Sequence, residues 1–449
     1  MNIVKPLVND NIPDALQIFN AAVASVQPLK LMQQHLQADN KSIRIGHHTI
    51  ELIRINKLFV IAVGKAAAAM AEQAEQQLGE VITAGICVTK YQHSLSLNKI
   101  KLVEAGHPIP DEKSVQAGAG ILLLLKDVTE KDVVLVLLSG GASALMENLP
   151  EGIILHDVQQ AIDCLMHCGA NIHEINTVRK HLSKLKGGGL ARSAFPAHVH
   201  TLVLSDVIGD NLDVIASGPT VPDTSTFKDA AAVLDKYKLW ETMPSNIKHY
   251  LHKGLKNEIA EAPKAGGAIF KNCFTTVIGS NKIALLAAAG EAQSLGYHTK
   301  IFKENADDNT EQLARTMVRQ FTNYTGILPA CFLTGGETTL NVNGNGKGGR
   351  NQHFVLCALD EMLNYPDAGY KNNFTVLSAG TDGTDGPTDA TGAIADLKTY
   401  RNQPDIHENL RESLAQFDSY HFFEKNGGLI KTGATQTNVM DIMLLIICK

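Results

Sequence analysis

Six short apolar runs, each followed by a loop of small and polar residues, constrain this chain more than any other feature. They are Lys57–Val63, Asp132–Leu138, Thr201–Leu204, Phe274–Ile278, Cys331–Leu333 and Phe374–Leu377. Apolar runs bounded by glycine or proline are the form taken by buried parallel strands. Helical periodicity lies between several of them, as in Ala66–Leu78, so the pattern predicts an α/β fold. In such sheets ligands collect beyond the carboxyl ends of the strands, and function is therefore sought in the loops after these runs.

The first such loop is Gly64-Lys65, where a strand passes into an alanine-rich helix. A helix N-terminus favours an anion through its free N–H groups and its dipole, which makes Lys65 a candidate for phosphate or carboxylate binding. A solvated lysine is the equal alternative. Ser139-Gly140-Gly141-Ala142-Ser143 follows the clearest strand; its glycines let a ligand approach the backbone, and Ser143 can cap the helix or touch the ligand. Leu145 stands where a G-x-S-x-G nucleophile elbow needs its last glycine, so that hydrolase motif is absent.

Asp206 and Asp210 follow Thr201–Leu204, and Gly335-Gly336-Glu337-Thr338 follows Cys331–Leu333. A literal G-x-G-x-x-G occurs at Gly344, Gly346 and Gly349, with Gly348 beside the last glycine and Arg350 after it. A dinucleotide fingerprint needs an acidic residue about 20 positions further on, and Gly369 stands there instead. An anion cradle with Arg350 at the helix start fits the stretch better. Asp382, Asp385 and Asp389 crowd the loop after Phe374–Leu377, where their repulsion calls for a hard cation, a basic side chain or both.

Other features are weaker. Cys164 and Cys168 share a helix face near His167 and His173, but core packing explains them better than a metal. The basic stretch Asn176–Lys186 reads as an amphipathic helix with a solvated charged face; His107 is a candidate base, though a histidine bonded within its turn explains it better. The stretch Phe274–Phe302 reads as a strand–helix–strand unit.

A chain of 449 residues divides into two or three domains, and the composition change near Pro263 separates 1–262 from 263–449. A net charge of −6 and a single tryptophan argue against a nucleic-acid partner. Seven irregularly spaced cysteines point to reduced thiols and a cytoplasmic setting. No leader-like pattern opens the sequence, and no apolar run approaches the ~20 residues of a membrane span.

Eight motifs in order carry a resemblance: VGKAA at Val63–Ala67, GHPIPDE at Gly106–Glu112, LLSGGASAL at Leu137–Leu145, NTVRKHLSKLKGG at Asn176–Gly188, LSDVIGD with IASGPTVPD across Leu204–Asp223, LTGGETT at Leu333–Thr339, GGRNQ at Gly348–Gln352, and GTDGTDGPTDATGA at Gly380–Ala393. The chain resembles the class II glycerate 2-kinases, which join a glycerate-kinase N-terminal domain to a MOFRL-type C-terminal domain. It departs from them at His353, where the family usually has Glu, and at Ala434 and Gln436 in a C-terminal motif.

The resemblance implies two Rossmann-like, mixed-sheet α/β domains with the active site in the interdomain cleft. It implies transfer of phosphate from ATP, with Mg²⁺, to the 2-hydroxyl of D-glycerate. Lys65 and Arg350 match positions that the family uses on phosphate and substrate anions. Asp206 and Asp382 join them as catalytic candidates, and Asp206, Asp210, Asp382 and Asp385 as metal-ligand candidates. Backbone N–H groups from Ser139 to Ser143, Gly335 to Thr338 and Gly344 to Gly349 would bound nucleotide and substrate. No Walker A or protein-kinase signature is present. Three rivals remain: a nicotinamide-dependent hydroxypyruvate reductase, a kinase of a related hydroxy acid, and a non-catalytic nucleotide or carboxylate binder. A homo-oligomer is left open.

Overall fold

The run expected at Lys57–Val63 forms strand Leu58–Val63, buried along its whole length, at the centre of a six-stranded sheet. The computed structural model describes residues 2–4, 11–322, 324–364 and 373–448. Gly369 and most of the first ten residues lie outside them. From Leu58–Val63 the chain winds outward through parallel strands Ala84–Lys90 and Ile100–Ala105. It then returns to the other side of the centre as Val133–Leu138 and continues to His198–Leu204. The order of strands therefore reverses between Leu58–Val63 and Val133–Leu138, which pair in parallel with Val63 opposite Leu138. A crevice at such a switch point is where this topology places ligands.

Two compact units appear: 28–278, and 1–27 joined with 279–449. The change falls after Ile278, downstream of Pro263, because Cys273–Gly279 adds an edge strand beside His198–Leu204. The expected strand–helix–strand unit at Phe274–Phe302 is thus not one, since its second strand, His298–Ala306, belongs to another sheet. The N-terminal stretch is two helices broken before Pro28; the first, Asn11–Ser25, packs on helix Asn281–Ser294 of the second unit.

The second unit is built on a seven-stranded mixed sheet. Its last strand in sequence, Asp441–Cys448, lies inside the sheet, antiparallel to Ala330–Gly336 on one side and to the central strand Asn373–Gly380 on the other. Asp441 pairs with both Gly336 and Gly380, so the first residue of this strand lies at the carboxyl ends of its two neighbours. Helix Arg350–Leu363 is buried along most of its length; Phe354, Leu356 and Leu359 enter the same core as Phe332, Phe374 and Leu445. No helix among the described residues is long and apolar enough to cross a membrane.

Candidate active site

In the 28–278 unit, the ends of three adjacent parallel strands gather basic side chains, beside the Ser139–Ser143 loop that ends the fourth. Ser139 N donates to Val63 O at 3.0 Å, Lys65 N to Gly140 O at 2.9 Å, and Ala66 N to Ser139 Oγ at 3.0 Å. These bonds lace the two central strand ends together and set Lys65 just before helix Ala67–Leu78. Gly64 has φ +134°, and a Cβ there would lie 2.1 Å from Ser139 Oγ, so only glycine permits the approach. Lys65 is half-buried and has no ion-pair partner among the described residues. Lys90 ends the next strand, and His107 follows the one after. The His107 ring sits where a Cβ on Gly141 would be, 2.8 Å away. Burial, then the charges of Lys65, Lys90 and His93, press the His107 pKa down to about 4. At neutral pH the imidazole is uncharged, held so first by burial and then by the cations around it.

Behind this cluster runs a polar chain. Ser143 Oγ lies 2.9 Å from Ser217 Oγ, which donates to Asn176 Oδ1 at 3.2 Å; Arg179 donates to the same oxygen at 3.2 Å. A pocket of about 180 Å³ adjoins it, lined by Pro108, Ile109, Ser143, Glu147, Ile162 and Arg179 among others. The helix expected through Asn176–Lys186 ends at His181, and its basic residues are not all solvated. Lys186 is fully buried in an ion pair with Glu147, and Lys180 is buried between Asp213 at 3.4 Å and Asp223 at 3.3 Å. Asp206 and Asp210 follow strand His198–Leu204, both partly exposed, with Asp210 in left-handed backbone at φ 53°.

The second unit has its own strand-end cluster, around Arg350. Arg350 Nε donates to Asp441 Oδ2 at 2.6 Å and Nη2 to Asp441 Oδ1 at 3.2 Å, while Nη1 reaches Glu337 at 2.6 Å. Burial opposes the guanidinium charge, but Asp441 and Glu337 outweigh it and raise the Arg350 pKa. Burial raises that of Asp441, against the pull of Arg350. Asp385 is wholly engaged by the helix start: Oδ1 accepts from Asn351 N at 3.0 Å, and Oδ2 from Gln352 N at 2.8 Å and Gln352 Nε2 at 2.9 Å. The anion at this N-terminus is therefore the protein's own carboxylate, its pKa lifted by burial to about 6. Asp382 is partly exposed, with Oδ1 accepting from Thr384 N at 2.9 Å.

The G-x-G-x-x-G loop is filled by the chain itself. Gly346 N donates to Gln416 O at 2.8 Å, and Cβ atoms at Gly344, Gly346 and Gly348 would meet Gln416, Asp418 and Ser419 within 2.5 Å. A Cβ at Gly349 would lie 2.2 Å from the Asp385 carboxyl carbon. Gly335 is shaped in the same way by Asn281, whose amide donates to Val439 O at 2.8 Å and Asp441 O at 3.0 Å. Gly336, Glu337 and Thr338 complete that strand end, with Glu337 exposed and Thr338 accepting from Thr310 Oγ1 at 2.9 Å.

Residues 14–252 match the model described as a domain of unknown function, DUF4147, and residues 330–441 match the MOFRL family. The chain is 37% identical over 438 residues to a glycerate 2-kinase of Pyrococcus horikoshii, covering 96% of each chain. It belongs to the glycerate kinase family. A second member, the D-glycerate 2-kinase of Thermotoga maritima, is 40% identical over 410 residues, spanning 90% of this chain and 94% of that one. The crystal structure of a Thermotoga maritima glycerate kinase superposes with a TM-score of 0.84 at 36% identity, covering 97% of this chain and 99% of that chain. A relative from Agrobacterium vitis, 34% identical over 438 residues, 96% of this chain and 93% of its own, is named a putative hydroxypyruvate reductase.

In this glycerate kinase family member the structure groups Lys65 with Ser139–Ser143 in one unit, and Arg350 with Glu337 and Asp385 in the other. The sequence carries no mark that singles out Lys90 or Asp441, and it favours His107 as a turn residue over a base. Lys90 and His107 become site candidates only when their strands are known to flank Leu58–Val63. Asp441 opens an apolar run instead of closing one, so the rule that places ligands beyond strand carboxyl ends does not reach it in sequence.

Proposed function

We propose that this chain phosphorylates D-glycerate at its 2-hydroxyl, using ATP and yielding 2-phosphoglycerate and ADP, in the cytoplasm. The observation that carries the reading is the set of basic groups, Lys65, Lys90 and His107, at adjoining strand ends beside the topological switch point. Phosphoryl transfer asks a protein chiefly to hold the reactants in line and to offset charge on the moving group. Lys65 is assigned to phosphate oxygens and Arg350, held flat by Asp441 and Glu337, to an anionic group that a planar guanidinium can grip. Neutral His107 serves as a hydrogen-bond donor that burial, and then the surrounding cations, keep from charging.

Mg²⁺ takes oxygen ligands and keeps several of its waters. Asp206, Asp210 and Asp382 fit that requirement, being partly exposed carboxylates in strand-end loops, and the ion would neutralise phosphate charge there. Asp382 and Asp206 are also the candidates for accepting the substrate's hydroxyl proton. Asp385 and the glycines of 344–349 already have partners within the chain, and their part in the proposal is to fix Arg350 at its helix start. The same packing removes the feature that favoured a reductase, because a dinucleotide pyrophosphate would have to displace Asp385 from Asn351 and Gln352.

A ³¹P NMR time course with ATP, Mg²⁺ and D-glycerate tests the reading against authentic 2- and 3-phosphoglycerate. Growth of the 2-phosphoglycerate resonance, absent with Lys65→Ala, supports it. A 3-phospho product would refute the regiochemistry. No phosphorylated product, with NADH oxidised by hydroxypyruvate, would replace the kinase with the reductase.

A further inference from the structure

Three side chains of different chemistry converge beside the helix that begins at Arg350. Glu311 stands in the first turn of helix Thr310–Thr322; His353 and Cys357 lie one turn apart on helix Arg350–Leu363, which packs against it. One ligand-capable atom from each lies within 4.8 Å of the other two. The i, i+4 spacing sets imidazole and thiol on one face of their helix. His353 and Cys357 are buried and Glu311 is half-buried, so the cluster has one side toward solvent.

A plain hydrogen bond accounts for only part of this. His353 Nε2 meets Glu311 Oε1 at 3.0 Å, but its Nδ1 is buried with no hydrogen-bond partner among the described residues, and the thiol is left out. A buried polar nitrogen without a partner is unfavourable, and it leaves the ring a ligand short. Phe417 stacks on that ring at 4.9 Å with an interplanar angle of 6°, fixing its plane. The neighbouring Arg315 is already engaged by Asp360 at 2.7 Å and Glu361 at 3.4 Å.

We propose that Glu311, His353 and Cys357 bind a divalent cation of the zinc class, with water as the fourth ligand. A thiolate, an imidazole and a carboxylate suit such an ion, whereas Mg²⁺ prefers an all-oxygen set. On binding, the Cys357 thiol proton leaves to solvent and the imidazole keeps its proton on the nitrogen not bound to the metal. No electron changes hands. Affinity therefore rises with pH, the more so because burial raises the thiol pKa. The ion would tie the helix that carries Arg350 to its neighbour.

Full-length protein stripped with EDTA and titrated with Co²⁺ tests this without reference to catalysis. The expected result is about one Co²⁺ per chain with a near-ultraviolet sulfur-to-cobalt charge-transfer band, displaced by Zn²⁺ but not by excess Mg²⁺. Cys357→Ala should abolish the band, and Cys164→Ala should keep it. Glu311→Gln, at a half-buried position that leaves the core untouched, should weaken binding about tenfold or more. No band, a band that survives Cys357→Ala, or unchanged affinity in Glu311→Gln would overturn the site.

Discussion

Replacing Arg350 by glutamine should expose how the second unit's site is held together. Arg350 makes two hydrogen bonds to Asp441, which is 2% exposed, and one to Glu337, whose side chain is 47% exposed. Losing the Glu337 contact should cost only about 0–1 kcal/mol, since water screens that carboxylate. Asp441 keeps its burial and loses its cation, a situation that costs about 3–5 kcal/mol in other buried pairs. The expected loss for Arg350→Gln is thus about 3–5 kcal/mol at pH 8.

The pH dependence follows from the direction of the Asp441 shift. Its folded pKa already lies above the ordinary value, and removing Arg350 raises it further. The folded variant then holds a proton that the unfolded chain has released, so its stability falls as pH rises and recovers on acidification through the folded pKa. Urea unfolding followed by circular dichroism at pH 5 and pH 8, with hydrogen exchange read on Asp441–Cys448, measures both. Arg350→Gln/Asp441→Asn should regain most of the loss. A single variant within about 1 kcal/mol of the parent at pH 8, or an equal loss at both pH values, would refute the reasoning.

Lys65→Ala should cut turnover about 10²–10³-fold while leaving the melting temperature unchanged, as checked by steady-state kinetics and calorimetry. The His107 ring proton followed by NMR should titrate near pH 4 in the free protein, and higher once ADP or phosphate offsets the charges of Lys65 and Lys90. An unmoved titration would place the anion elsewhere. Lys186→Met should destabilise the 28–278 unit by about 3–5 kcal/mol because Glu147 is left charged and buried; Lys186→Met/Glu147→Leu should recover most of it in urea denaturation. Gly64→Ala should lower both stability and turnover, since the new methyl group meets Ser139 where the two central strand ends are laced.

Much of the architecture was legible because burial on both faces leaves a signature in the sequence itself. Leu58–Val63 and Val133–Leu138 are apolar throughout, and their glycine-bearing ends lie beside the switch point. Strand order leaves no such mark. Cys273–Gly279 reads as readily as the opening strand of a new unit as it does as an edge strand of the old one, and only pairing beside His198–Leu204 decides. Charge reads poorly for a similar reason. Lys180 and Lys186 look like a solvated helix face until Asp213, Asp223 and Glu147 arrive from distant segments to neutralise them. The glycines of 344–349 gave a motif with two meanings, and contacts to Gln416, Asp418 and Ser419, remote in sequence, separate them.

The position of Asp441–Cys448 sets a timetable for synthesis. It is an interior strand of its sheet, with a neighbour on each side, yet the last of the seven in chain order. Ala330–Gly336 and Asn373–Gly380 leave the ribosome with no partner between them, and the gap lasts on the order of several seconds at ordinary elongation rates. During that interval each presents an unpaired apolar edge, the kind of template on which chains of the same sequence can associate. Strands of the 28–278 sheet have all been made by then. The nascent protein should therefore pass through a stage with one folded half and one waiting half, during which a chaperone that shields strand edges would matter most.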